Sequence, residues 1–249
     1  MSKNIVPYND SKKSKTAQVR DMFDNISRKY DFLNHFLSFG IDHYWRARMV
    51  RIASREPHAR VLDIATGTGD QAIRLAKKLS PQRIDAVDLS EKMMEVGREK
   101  VKKEGLEELI HFQKADCQSL PFEHNTFDIV TISFGVRNFE NLAQSLSEIH
   151  RVLKPGGLLL ILEFSHPRSF PIKQAYSFYN KCILPLIGFI VSGDKRAYTY
   201  LPESIKAFPS GKNFANILRT NDFIATRFTS MTGGIATIYS GIKSKKNVL

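Results

Sequence analysis

Cysteine is scarce in this chain of 249 residues: only Cys117 and Cys182 are present, far apart and without metal-ligand spacing. That excludes a disulfide framework and fits a reducing compartment, so a cytoplasmic protein is expected. Long apolar runs are lacking as well. The longest, Cys182 to Val191, is interrupted by Pro185 and stops well short of the ~20 residues a spanning helix needs. Near the start, Lys3, Lys12, Lys13 and Lys15 accompany no apolar core of signal-peptide length, so a mobile arm is expected there and export is not. The Gly-x-Ser-x-Gly string of a serine-nucleophile elbow is absent. Seven histidines occur, but no pair has zinc-ligand spacing beside cysteine or acid, and no metal is expected. No repeat, low-complexity tract or long linker divides the chain.

Acidic residues are also in deficit. Against 37 Lys and Arg stand 25 Asp and Glu, a net charge of +12. Such a surface favours an anionic partner, either nucleic acid or the charged face of a bilayer, or is simply solvated. The basic residues form no single stripe and no RNA-binding module is recognisable, so nucleic acid is not the expected partner. Hydrophobic residues at 42% and charged residues at 25% describe a folded chain able to bury an enclosed site.

What is present is an alternation. Arg60 to Ala65 is a short apolar run ending in glycines, and Ala72, Leu75, Ala76 and Leu79 then recur at helical spacing. Strands are expected at 83–88, 109–114, 127–133 and 158–164, and helices at 91–103 and 141–153. This order implies a mostly parallel α/β sheet covered on both faces, with ligands beyond the carboxyl ends of its strands. Residues 223–229 and 235–243, around Gly233 and Gly234, look like a hairpin adding antiparallel strands at one edge. One domain over 1–249 is expected: an arm and helical cap (1–58), a cofactor core (59–165), a cap insertion (166–213) and a C-terminal helix with strands (214–249).

The turn from Asp63 to Asp70, DIATGTGD, holds Gly67, Thr68 and Gly69 and satisfies the G-x-G-x-x-A form with Ala72. Those glycines serve a dinucleotide or a methyl donor equally well. The acids discriminate. Asp70 occupies the first turn of the following helix, where a pyrophosphate would otherwise sit, and would repel it. S-adenosylmethionine has no phosphate and carries a cationic ammonium and sulfonium, which Asp63 and Asp70 can face. Asp88 ends the second strand and can accept from both ribose hydroxyls, Asp116 from the adenine amino group, while the Cys117 amide can donate to a ring nitrogen. Helix capping is the alternative use of these side chains, with Ser90 a cap before Glu91.

Beyond these features the chain resembles the UbiE/MenG quinone C-methyltransferases along almost its whole length. One family signature is intact from Arg151 to Ser165, RVLKPGGLLLILEFS, and a second matches in most places from Tyr30 to Trp45. Residues Ile132 to Asn138, ISFGVRN, also look like the family's segment after the fourth strand. Two departures lie in the second signature. Leu33 stands where methionine is usual, a volume-conserving swap, and Asp42 where histidine is usual, so no role of that histidine carries over. The resemblance implies a seven-stranded, Rossmann-like class I methyltransferase fold, a reduced polyprenyl quinone as acceptor, and methylation of a ring carbon. Demethylmenaquinol is the expected acceptor, with the benzoquinol of ubiquinone synthesis as the alternative; a nucleic-acid methyltransferase and a nicotinamide-dependent oxidoreductase are the rivals of other classes.

Such chemistry needs a cation beside the developing phenolate and a route for its proton. Arg137 is the expected cation, Asn138 and Glu163 are expected to orient a proton-accepting water, and Ser133 to touch the cofactor. The bland alternative is an ion pair of Arg137 with Glu163 or Asp128 that merely finishes the sheet. A prenyl tail would need an apolar path, for which Phe32, Phe36, Phe39 and Trp45 from the first cap and Tyr176, Phe178, Tyr179, Leu184 and Phe189 from the second are the candidates. Lys173, Lys181, Lys195 and Arg196 would hold that cap transiently against the inner face of the membrane.

Overall fold

The chain is described here by a computed structural model covering residues 5–8, 11–167, 169–179, 182 and 195–245. In β1 (Arg60–Ile64) Val61, Leu62 and Ile64 are all buried, as a strand covered on both faces requires. Alongside it run β2 (Arg83–Asp88), β3 (Ile110–Lys114), β4 (Phe127–Ser133) and β5 (Leu153–Phe164). The pair β6 (Phe223–Met231) and β7 (Ala236–Lys243) completes seven strands in the order β3-β2-β1-β4-β5-β7-β6. The first five are parallel, and β7 is antiparallel to both β5 and β6. The order reverses between β1 and β4, which opens a crevice beyond their carboxyl ends.

On one face, α2 (Ile41–Ala53), α3 (Asp70–Leu79) and α4 (Glu91–Lys103) bury Met49, Leu75, Ala76 and Val101 against the sheet. On the other, α5 (Leu142–Val152) and α8 (Lys212–Thr220) bury Leu146, Ile149, Phe214 and Leu218. Local chemistry starts these helices where the sequence places them. Ser90 Oγ accepts from the Met93 amide, Asn141 Oδ1 accepts from the Gln144 amide, and Gly69 precedes α3 with φ of 78°, a conformation glycine adopts freely.

Three helices cover the sheet's carboxyl edge: α1 (Lys15–Leu37), α6 (Ile172–Phe178) and α7 (Lys195–Ala207). Val19, Met22 and Leu33 of α1 pack on Tyr200 of α7 in a small cluster apart from the two sheet cores. Among the described residues no helix is long and apolar enough to cross a membrane.

One boundary differs from the sequence reading. The strand expected from residue 158 begins instead at Leu153, ahead of Pro155, Gly156 and Gly157. The partners shift from Phe127–Leu153 to Ile129–Leu158, and Gly156 takes φ of 82°, so this segment is a bulge inside the strand.

Candidate active site

The crevice between β1 and β4 opens as a cleft lined by the glycine turn, the ends of β2 and β4 and the start of α1. Its lower wall is the glycine turn. The Gly67 amide donates to Asp88 Oδ2 at 2.8 Å, and the Ser90 amide to Asp88 Oδ1 at 2.9 Å. These bonds tie the turn to the end of β2, and the Asp88 carboxylate borders the cleft, where it can accept from a ligand hydroxyl. Burial pushes the Asp88 carboxyl above its ordinary range, and the backbone amides oppose that. Asp116, Cys117 and Ser133 also line the cleft, as does Asn138. Asp116 Oδ1 accepts from the Gln118 amide at 2.9 Å. The Cys117 thiol turns instead toward Ser145 Oγ at 3.2 Å, and burial pushes it up to about 12, so only the backbone of this residue is offered to a ligand.

Three of the expected cofactor residues do not line the cleft. Asp63 lies beneath the turn, 1% exposed, where it accepts from Thr66 Oγ1 at 2.7 Å and from Thr131 Oγ1 at 2.5 Å. Thr131 is its register neighbour on β4, which explains the contact. Burial pushes the Asp63 carboxyl up to about 6, opposed by the two threonine hydroxyls and by the charge of Arg46. Thr68 is buried under α1, where it donates to Asp31 Oδ1 at 2.5 Å, while Gly69 packs beneath Phe112. Asp70 also lies outside the cleft. Its carboxylate pairs with Lys100 and lies 3.4 Å from His35 Nε2. Burial acts to raise it, but Arg46, Lys100 and His35 together hold it below its ordinary range. A direct contact of Asp63 or Asp70 with the donor's ammonium is therefore not what this geometry offers. Asp63 acts as a buried negative charge under the turn.

Arg137 sits just beyond β4, its side chain 7% exposed. Nη1 donates to Glu163 Oε1 at 2.8 Å and also to the Phe134 carbonyl; the Arg137 amide donates to Glu163 Oε2 at 3.2 Å. Glu163 is fully buried and accepts from the Phe164 amide as well, so its oxygens are committed to holding Arg137 rather than a water. Asn138 Oδ1 is taken by Tyr200 Oη at 2.9 Å. Arg137 Nε is buried and has no hydrogen-bond partner among the described residues. The guanidinium borders a second chamber of about 580 Å³ shared with Tyr30, Leu33, Phe164 and Tyr200, and Phe23, Tyr30 and Phe134 border both this chamber and the cleft.

Of the aromatic residues expected to line a tail path, Phe39, Trp45, Tyr176 and Tyr179 border a third, largely apolar groove of about 960 Å³. Phe32, Phe36 and Phe178 instead lie on the outside, 59%, 50% and 62% exposed. Leu184, Phe189 and Lys181 fall outside the described residues, as do the side chains of Lys195 and Arg196.

Comparison with known proteins decides the family. Residues 11–243 match the model of the ubiE/COQ5 methyltransferase family. The chain belongs to that family. The methyltransferase is 49% identical over 240 residues to the demethylmenaquinone methyltransferase of Bacteroides fragilis, covering 96% of this chain and 97% of that one. It is 44% identical to the enzyme of the same name from Porphyromonas gingivalis, over 96% and 98% of the two chains. A Geobacter sulfurreducens relative, the ubiquinone/menaquinone biosynthesis C-methyltransferase UbiE, is 46% identical over 93% of this chain and 91% of its own. In fold the methyltransferase is similar to the cyclase SpnF, with a TM-score of 0.69 at 16% identity over 94% and 97% of the chains. It is also similar to a SAM-dependent methyltransferase of Thermotoga maritima, with a TM-score of 0.62 at 18% identity over 91% and 99%.

Several residues of the methyltransferase's site had no role assigned from sequence. Tyr30 and Asp31 lie in the second family signature, but what they do depends on α1 lying across the cleft. There Asp31 pairs with Lys100 at 2.7 Å, Asp24 accepts from Ser90 Oγ at 2.5 Å, and Thr16 donates to Glu140 at 2.6 Å. Tyr200 belongs to the cap insertion, and only the fold brings it to Asn138. Asp42, where the family usually has histidine, is 3% exposed and accepts from His35 Nδ1 at 2.9 Å and Ser38 Oγ at 2.7 Å. His43 stacks on His35, with ring centroids 4.3 Å apart. Their ligand atoms and that of Asp42 fall within 4.8 Å of one another, a gathering that sequence spacing did not reveal. Arg74 Nη2 approaches His43 Nδ1 at 3.0 Å, so each member of the trio already has a protein partner.

Proposed function

We propose that this methyltransferase transfers the methyl group of S-adenosylmethionine to a ring carbon of a reduced polyprenyl quinone, with demethylmenaquinol as acceptor and menaquinol as product. The names of the Bacteroides and Porphyromonas relatives support the naphthoquinol. The Geobacter relative, named for both pathways, keeps the benzoquinol as the alternative. S-adenosylmethionine, when bound, supplies an electrophilic methyl group. Asp88, the Gly67 turn, Asp116 and the Cys117 amide are the groups suited to its adenosine, and Ser133 borders the same cleft. The buried charge of Asp63 beneath the turn suits its cationic end.

The acceptor ring belongs beside Arg137. A hydroquinone carbon becomes nucleophilic when its neighbouring hydroxyl loses a proton, and a fixed guanidinium lowers the cost of the resulting phenolate. The observation that carries this reading is the Arg137 side chain, which lines the chamber adjoining the cleft and whose buried Nε has no hydrogen-bond partner among the described residues. An orphaned buried donor costs free energy, and a phenolate oxygen would satisfy it. Glu163 positions Arg137, Asn138 and Tyr200 form the facing polar pair, and a water takes the hydroxyl proton, because arginine is a poor base. The hydrogen on the methylated carbon then leaves as a proton to solvent as the ring regains its aromaticity.

The acceptor comes from a bilayer. Exposed Phe32 and Phe36 stack at 5.5 Å beside exposed Arg28 and Lys29 on one face of α1, and Lys173 is exposed on α6. Rings and basic groups arranged in this way suit an anionic membrane surface. The test is incubation with methyl-labelled S-adenosylmethionine and demethylmenaquinol: label on a ring carbon of menaquinol supports the reading, and label in no quinol product contradicts it.

A further inference from the structure

A further pocket opens among α2, α3 and α4 and shares no lining residue with the cleft, the chamber or the groove. His43 of α2 faces it, together with Arg74, Lys77 and Lys78 of α3 and Lys100 and Lys103 of α4. Methyl transfer as argued above makes no use of these groups.

Five basic residues meet two acids in this wall, and both acids are already engaged. Glu104 Oε2 lies 2.6 Å from Lys77 Nζ, and Asp70 pairs with Lys100, which Asp31 also holds at 2.7 Å. Arg74, Lys78 and Lys103 have no carboxylate partner among the described residues. Arg74 Nη2 donates to His43 Nδ1 at 3.0 Å, and its buried Nε has no hydrogen-bond partner among the described residues. The His43 ring is in turn stacked on His35, so the wall that carries Arg74 is fixed on the side of α2.

Lysines are favoured at helix carboxyl ends, and Lys77, Lys78, Lys100 and Lys103 lie in the last turns of α3 and α4. That accounts for lysine at those positions. It accounts neither for Arg74 in the middle of α3 nor for three cations without counter-charge around one depression. Like charges gathered in this way repel one another, and a concavity lined by one sign concentrates its field on an ion of the other. A bound anion offsets both.

We propose that this pocket binds a phosphate group, held by Arg74, Lys78 and Lys103. A phosphomonoester carries roughly 1.5 to 2 negative charges at pH 7 and three acceptor oxygens, a closer match to three surplus cations than a single carboxylate. Arginine and lysine both suit such oxygens, the one as a planar donor and the other as a compact charge. The cations ring one depression instead of forming a stripe, so they match a single phosphate and not a polymer backbone. The same chemistry is offered by an acidic lipid headgroup and by a soluble phosphate ester. The site is independent of the quinol reading.

Isothermal titration of the full chain with inorganic phosphate, in chloride buffer at constant ionic strength, tests the assignment without any turnover. The wild type should bind saturably. Lys78→Gln combined with Lys103→Gln changes two exposed residues of the pocket and should weaken binding roughly tenfold or more, the scale of losing charge-assisted contacts. Lys92→Gln combined with Lys206→Gln removes the same charge from exposed positions outside the pocket and should leave affinity within about twofold. Phosphate should also raise the melting temperature of the wild type, and raise it less in the Lys78 and Lys103 variant. Vesicles of phosphatidate and of phosphatidylserine, matched in surface charge, separate the two sources. Preference for phosphatidate that disappears in the Lys78 and Lys103 variant assigns a lipid headgroup; equal binding to both, with saturable inorganic phosphate, assigns a soluble ester. No saturable phosphate binding by the wild type, or equal weakening in the two double variants, would overturn the proposal.

Discussion

Arg137 Nη1 donates to Glu163 Oε1 at 2.8 Å, and Glu163, on β5, has no solvent exposure at all. The same carboxylate takes the Arg137 amide, so main chain and side chain of one residue are fixed by a single partner on the neighbouring strand. What this leaves free is the face of the guanidinium that borders the chamber. Arg137→Ala should therefore lower kcat by roughly a hundredfold or more, the scale of losing one donor to a developing oxyanion, while S-adenosylmethionine affinity stays nearly constant. A large loss of cofactor binding in a variant that melts normally would contradict this role.

Removing the other partner should show first in stability. Glu163→Leu leaves a buried arginine without its counter-charge, which costs about 3–5 kcal/mol in comparable buried pairs. Glu163→Gln keeps an acceptor at the same place and should melt between the two. Equal melting temperatures for the wild type and Glu163→Leu would mean that the pair does not organise this wall.

For Asp88→Ala the expected loss lies in cofactor binding, with turnover of the saturated enzyme largely kept. Because the Gly67 and Ser90 amides both donate to this carboxylate, the variant also frees the glycine turn. Isothermal titration with S-adenosylhomocysteine should record the weakened affinity. A kcat defect at unchanged affinity would reverse the assignments of Asp88 and Arg137.

Asp63 gives the unliganded protein a pH signature. Burial raises its carboxyl to about 6 from an ordinary value of 3.8, so between those values the folded chain holds a proton that the unfolded chain has released. Stability from this group is thus greatest at the acid end of the window and declines as pH rises through it. Asp63→Asn removes the titration, and denaturant melts of the variant should depend less on pH between 4 and 6 than those of the wild type. An unchanged slope would show that Asp63 is not the group responsible.

Phe32→Ser combined with Phe36→Ser removes two exposed rings from α1 without touching a core, and should weaken co-sedimentation with anionic vesicles. Added salt should weaken wild-type binding too, since basic groups attract the surface. Vesicle binding indifferent to lipid charge, salt and both substitutions would remove α1 from the membrane contact.

How much of this could be read from the residues depends on whether the information is local. The strand–glycine–helix unit from Arg60 to Leu79, Asp88 at the end of β2 and the cap Ser90 rest on neighbours in sequence, and they stand where periodicity and capping chemistry place them. Asp63 does not, because β1 is buried on both faces and alternation cannot tell which way a side chain points in such a strand. Asp70 looked available to a cation only because its partner, Lys100, comes from another helix. The aromatic caps were ambiguous for a different reason: a ring in a groove, a ring in a core and a ring on a membrane face are written alike. Phe39, Phe32 and Tyr200 differ only in what the fold places beside them.

If Arg137 serves a phenol, the redox state of the acceptor decides whether its ring is methylated. Parallel reactions with methyl-labelled S-adenosylmethionine should label demethylmenaquinol on a ring carbon and leave oxidised demethylmenaquinone, which has no hydroxyl to ionise, without label. Equal labelling of the two forms would contradict the account.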